Sequence, residues 1–141
     1  MRYLRYFLFT AALCSFASVA ARAADVKLIA NASVTASSVS ADELKGVFLA
    51  TKSSLSDGSH VEPVLLKSGA THEGFVKQYL GKTDAALETY YRSLVFTGKG
   101  SMPKMLASET EMVEFVAKTK GAIGYVSAGT SPGAAKPIEV K

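Results

Sequence analysis

Residues 121–126 read Gly-Ala-Ile-Gly-Tyr-Val (GAIGYV), and the reading of this stretch decides the fold class. Gly121 is placed to stop a helix, because glycine adopts the left-handed backbone beyond a last helical turn without a Cβ penalty. Ile123 to Val126 then has the branched and aromatic make-up of a short buried strand. The helix that Gly121 stops opens at Ser108-Glu109-Thr110-Glu111, a capping box. Its inner face carries Met112, Phe115 and Val116, and its last turn carries Lys118 and Lys120, favourable to the helix dipole. Downstream, Ser127 to Ala135 is a loop rich in small residues, and Ile138 to Val140 is a last strand. A helix that feeds straight into an interior strand is a building unit of α/β architecture.

The same alternation continues towards the amino terminus. Val26 to Ala30 (VKLIA) predicts a strand running into the polar stretch Asn31 to Ser38. Ser40-Ala41-Asp42-Glu43 is a second capping box, and Leu44, Val47 and Phe48 follow at helical spacing in a helix ending near Ala50. Asp57-Gly58 marks a turn before Val61 to Leu66, a buried strand in which Pro63 fits best at an edge or near the start. Beyond Lys67 to Thr71, a helix carries Phe75, Val76, Tyr79 and Leu80 on one face up to Gly81. Asp84 to Val95 is a further helix with Leu87, Tyr90, Tyr91 and Leu94 inward, broken by Thr97 to Pro103. Tyr79, Tyr90, Tyr91 and Tyr125 are spaced as packing residues whose hydroxyls stay at a wet edge. The expected fold is α/β: a central mixed sheet of about four or five strands, helices on both faces, and 121–126 in the sheet interior.

The first 23 residues read as an address. Arg2 and Arg5 form a basic start, Phe7 to Ala20 is apolar without a charge, and Ala21-Arg22-Ala23 offers the small residues a signal peptidase reads, leaving Ala24 first in the mature chain. The apolar run is shorter than the roughly 20 residues of a bilayer span. Cys14, the only cysteine, is preceded by Leu13 where a lipoprotein signal wants a small residue, so no lipid anchor is expected. Without Arg2, Arg5 and Arg22, 13 basic face 12 acidic residues, a balance that argues against nucleic-acid or membrane-surface partners. A mature chain of 118 residues suits a single domain, 24–141, exported to the periplasm and stabilised by its core alone.

Three segments in this order resemble the phosphate-type periplasmic solute-binding proteins: Ser40 to Leu49 (SADELKGVFL), Thr97 to Gly100 (TGKG), and Gly121 to Val126, which matches that family's Gly-Ala-Ile-Gly-Tyr followed by Val or Ile. The resemblance implies a single-lobe domain of the type II periplasmic-binding-protein fold. It further implies a non-enzyme that binds phosphate or a related oxyanion for an ABC-type uptake system. In the family a run similar to R-x-x-G-S-G-T precedes the helix that here starts near Thr71, and its hydroxyls and amides hold the phosphate. This chain has Leu66-Lys67-Ser68-Gly69-Ala70-Thr71-His72 instead, without the arginine, and Asn31-Ala32-Ser33 replaces an early Gly-rich turn. The alternative is a lobe without ligand that serves as an interaction module for a transporter or envelope protein.

The residue types support an anion site independently of that resemblance. Small residues at a strand-to-helix junction let free backbone N–H groups converge, and the helix dipole adds to their pull. The expected ligand-binding residues are Lys67, Ser68, Gly69, Thr71 and His72, with Asn31 and Ser33 as a second wall. The simpler reading has Ser68 or Thr71 capping the helix and Gly69 making the turn. Thr97 to Ser101 (TGKGS) lacks phosphate-loop spacing and follows a helix. Ser68 with His72 lacks the strained elbow of a serine nucleophile, and His60 and His72 lie too far apart for a helical zinc pair. Neither an enzyme nor a cofactor is expected.

Overall fold

The computed structural model describes residues 25–141. The leader read at 1–23, with Cys14 and its cleavage site, lies outside the described residues. Six strands form one mixed sheet: β1 (Val26–Ala30), β2 (Ser38–Val39), β3 (Glu62–Leu66), β4 (Lys104–Leu106), β5 (Ala122–Ser127) and β6 (Lys136–Val140). Their order across the sheet is β2-β6-β1-β5-β3-β4. β1 runs antiparallel to both its neighbours, β5 and β6, whereas β3 is parallel to β5 and β4. The expected α/β class and the interior place of 121–126 are therefore found. The expected four or five strands are corrected to six. The additional strands are the edges, β2 with two residues and β4 with three, too short for any hydrophobic period to mark.

Helices cover both faces because the side chains of β5 alternate. Gly124 points at α4 (Glu109–Lys118), where a Cβ would come within 2.5 Å of Met112 Sδ and 3.3 Å of Val116 Cγ2. Tyr125, on the opposite face, stacks on Phe75 at 3.9 Å between ring centroids and lies 6.1 Å from Phe48. Phe48 ends α1 (Ala41–Phe48), and Phe75 ends α2 (Ala70–Phe75), which continues as a π-helical turn over Val76–Leu80. α3 (Asp84–Phe96) packs outside these through Leu87 and Tyr91. Its expected inward residues Tyr90 and Leu94 are only half-buried.

The caps follow the residue chemistry. Ser40 and Glu43 form the reciprocal box at α1. At α4, Ser108 Oγ accepts from Glu111 N–H, but the Glu111 carboxylate accepts from Ala107 N–H rather than closing the box. α4 ends at Lys118, so Lys120 lies beyond its last turn, and Gly121 holds φ +77° with its Cβ position 3.0 Å from the His60 carbonyl oxygen. The tyrosine hydroxyls depart from the expected wet edge. Tyr91 and Tyr125 are fully buried, with the Tyr91 hydroxyl donating to the Phe48 carbonyl at the end of α1.

Candidate functional site

Topology brings two helix starts to one place. β3 and β4 are parallel neighbours, and each leads into a helix, so α2 and α4 both begin at the same edge of the sheet. The Lys67 N–H, bonded to the Leu106 carbonyl at 2.9 Å, locks the two strand ends together. Between them lies a cavity of about 250 Å³ lined by Ser68, Gly69, Ala70 and Thr71 on one side and Ala107, Ser108 and Glu109 on the other. The first bond within α2 runs from Glu73 N–H to the Gly69 carbonyl, which leaves the Ala70, Thr71 and His72 amides without intrahelical partners. In α4 the Met112 N–H reaches back to the Ser108 carbonyl, leaving the Glu109 and Thr110 amides in the same position. Two positive helix ends and several hydroxyls thus border one small concavity, an arrangement suited to an anion. Glu109 opposes this. Its carboxylate, which accepts from the Ser127 N–H, places a negative charge on the same rim.

The loop geometry also decides between the two readings of the small residues. Gly69 is itself the N-cap, at φ 108° and ψ 169°, and no side chain caps α2. Ser68 and Thr71 therefore do not serve as its caps, and both border the cavity instead.

Of the seven expected residues, the structure brings Ser68, Gly69 and Thr71 together. Lys67 is exposed and lines an adjoining cavity, also of about 250 Å³, with His72, Asp84 and Glu88. His72 is not a rim charge but a core residue, 2% exposed. Its Nδ1 lies 2.5 Å from the Tyr125 hydroxyl and its Nε2 2.8 Å from Asp84 Oδ1, so both ring nitrogens are already engaged.

Asn31 and Ser33 are not a second wall. β1 runs antiparallel to β5, so its end lies level with Ala122, whereas the loop after β3 lies level with the opposite end of β5. Asn31 Nδ2 donates to the Val116 and Ala117 carbonyls at 2.9 and 3.0 Å, closing the end of α4, and its Oδ1 accepts from Ser33 N–H. Ser33 Oγ accepts from Gly121 N–H. Their polar groups stitch the turn that starts β5.

Ser108 and Glu109 are the cavity residues that reading the sequence missed. The capping pattern at Ser108 marks a helix start, but only the pairing of β3 with β4 reveals what that start faces. Among the described residues no group of three or more His, Cys, Asp or Glu side chains is arranged to hold a metal ion.

No protein-family model matches the chain, and no curated protein does. Solved structures do. An ABC-type phosphate transport receptor from Vibrio cholerae is similar at a TM-score of 0.62 and 15% identity, over 82% of this chain and 46% of the receptor. PstS from Borrelia burgdorferi is similar at a TM-score of 0.63 and 11% identity, over 83% of this chain and 47% of that one. The chain spans less than half the length of these structures. At such identities the likeness carries the fold and not the ligand. The mixed sheet, the helices on its two faces and these similarities together show that the chain has the α/β fold of about half of such a periplasmic binding protein.

Proposed function

We propose that the protein is an exported, non-catalytic solute-binding module. In this reading its leader is removed after Ala23, and residues 24–141 act in the periplasm as one domain. The module holds phosphate or a related oxyanion for an ABC-type uptake system, in the cavity between the starts of α2 and α4. The observation that carries the reading is the convergence of these two helix starts, with Ser68, Gly69, Thr71 and Ser108, on one concavity. Ser68, Thr71 and the free amides donate to the anion, while Lys67 contributes only longer-range attraction from the adjoining cavity. Such a ligand agrees with the similarity to a phosphate transport receptor.

The site is open on one side and carries Glu109, so affinity is expected to be weak, on the order of micromolar to millimolar, and to fall with salt. Calorimetric titration of the processed protein with phosphate, sulfate and molybdate tests this. The parent should release or absorb heat with at least one of them, and the Ser68→Ala plus Thr71→Ala double variant should bind it more weakly. Equal binding by parent and variant would remove this cavity from consideration.

A second reading, an interaction module in the envelope, is favoured by one observation. Phe96, 93% exposed, and its chain neighbour Val95 present apolar side chains at the surface. A parent that shows no heat with any oxyanion would favour that reading.

A further inference from the structure

The segment of residues 67–71 runs from the end of β3 into the first residues of α2, and one buried oxygen is bonded on both sides of it. Tyr125 Oη accepts from the Leu66 N–H at 3.0 Å, immediately before the loop, and lies 2.5 Å from His72 Nδ1, immediately after it. β4 holds the end of β3 as far as Leu66, but on the β5 side the sheet does little. β3 and β5 are in register only at Glu62 with Ala122 and Pro63 with Ile123, so the phenol substitutes for ladder bonds where the loop departs. With Leu66 donating to its oxygen, the phenol gives its single proton to Nδ1, and the Nε2–H then donates to Asp84 Oδ1 at 2.8 Å. Asp84 is half-exposed at the start of α3, so the chain of contacts runs from the surface to the backbone at the loop's base.

We propose that Asp84, His72 and Tyr125 form a positioning relay that sets the geometry with which the Ser68–Thr71 segment presents its donors to an oxyanion. This inference rests on the reading of that segment as the anion site. None of the three side chains needs to touch the ligand. Tyr125 fixes the distance between the strand end and the helix start, His72 transmits that position into α2, and Asp84 holds the imidazole in the required tautomer and orientation. Donors pointed at an anion lose effect quickly when their spacing changes, so a relay that keeps the loop taut favours binding without contributing a contact.

The test uses two kinds of variant and two readouts on the exported protein: phosphate titration, and amide hydrogen exchange with chemical shifts by NMR. Tyr125→Phe keeps the ring stack and removes the oxygen. Asp84→Ala removes the acceptor for Nε2–H at an exposed position, while Asp84→Asn restores an acceptor without the charge. Tyr125→Phe should speed exchange of the Leu66 amide, displace the Ser68, Gly69 and Thr71 resonances, and weaken phosphate binding by about tenfold. Asp84→Ala should weaken binding in the same direction and Asp84→Asn should recover it, an outcome that loss of charge alone would not produce. If Tyr125→Phe fails to fold, the Asp84 pair decides. Variants that bind phosphate within about twofold of the parent, with β1, β5 and β6 amides unchanged, overturn the relay. If the parent binds none of phosphate, sulfate and molybdate, the site reading has failed, and the loop resonances judge the relay separately. Unmoved Ser68, Gly69 and Thr71 amides in Tyr125→Phe and Asp84→Ala overturn it, and displaced ones uphold it.

Discussion

Gly124 shows how one residue sets the spacing between the sheet and a helix. The hydrogen in place of a side chain lets α4 sit close, with Met112 and Val116 both fully buried against the strand. A methyl group there would begin 2.5 Å from the sulfur of a fully buried methionine. Gly124→Ala is therefore expected to destabilise the protein by about 1–3 kcal/mol through overpacking, read as a lower urea midpoint at unchanged slope. An unchanged midpoint would mean that Met112 relaxes at no cost. Gly121 acts through the backbone instead, because its positive φ and the His60 carbonyl at 3.0 Å leave no room for a side chain. Both glycines stand in the GAIGYV stretch, whose strand was legible in its branched and aromatic residues. What the glycines are for was not, since that depends on which helix and which carbonyl the fold brings against them.

At the scale of elements, the ends of α4 have opposite jobs. Its carboxyl end is closed by Asn31, which engages the Val116 and Ala117 carbonyls. Its amino end opens on the candidate anion cavity with Glu109 on the rim. Asn31→Ala is expected to cost about 1–3 kcal/mol, because a buried and a half-buried carbonyl and the Ser33 amide lose their partner. It should leave oxyanion affinity unchanged, since Asn31 lies at the far end of the sheet, and a loss of affinity in a folded Asn31→Ala protein would contradict that placement. Glu109→Gln should do the reverse. It keeps an acceptor for the Ser127 N–H but removes a negative charge beside the ligand, so affinity should rise roughly three- to tenfold at low salt and less at high salt. Weaker phosphate binding by Glu109→Gln would assign the carboxylate an attractive role. The sequence carries both helix starts in its capping residues and small residues, which is why Ser68, Gly69 and Thr71 could be named. It carries no local mark of strand direction. The antiparallel course of β1, which removes Asn31 and Ser33 from the site, and the β3–β4 pairing, which adds Ser108 and Glu109, are properties of the assembled sheet.

Across the whole molecule, the alternation of helices and strands was readable because each long element has a hydrophobic period, and β2 and β4 escaped because two or three residues have none. The polar interior was hidden for a related reason. His72, Tyr91 and Tyr125 look like surface-edge residues by type, and only tertiary contacts bury them with their partners satisfied. These buried phenols tie the domain together, Tyr91 joining α3 to the end of α1 and Tyr125 joining β5 to β3 and α2. Burial raises the pKa of both above the ordinary tyrosine value of 10.0, since the phenolate would have to leave water. A folded-state pKa above the unfolded one contributes stability that is fully present below the unfolded value and is lost as pH rises beyond it. Stability should accordingly decline once pH passes that ordinary value, and the Tyr91 and Tyr125 phenols should ionise together with unfolding rather than before it. Simultaneous recording of phenolate absorbance and far-ultraviolet circular dichroism during an alkaline titration checks this. The single variants Tyr91→Phe and Tyr125→Phe assign each phenol's share of the absorbance change. If either phenol ionises while the dichroism of the folded sheet and helices persists, that hydroxyl is open to water and does not bind its elements together.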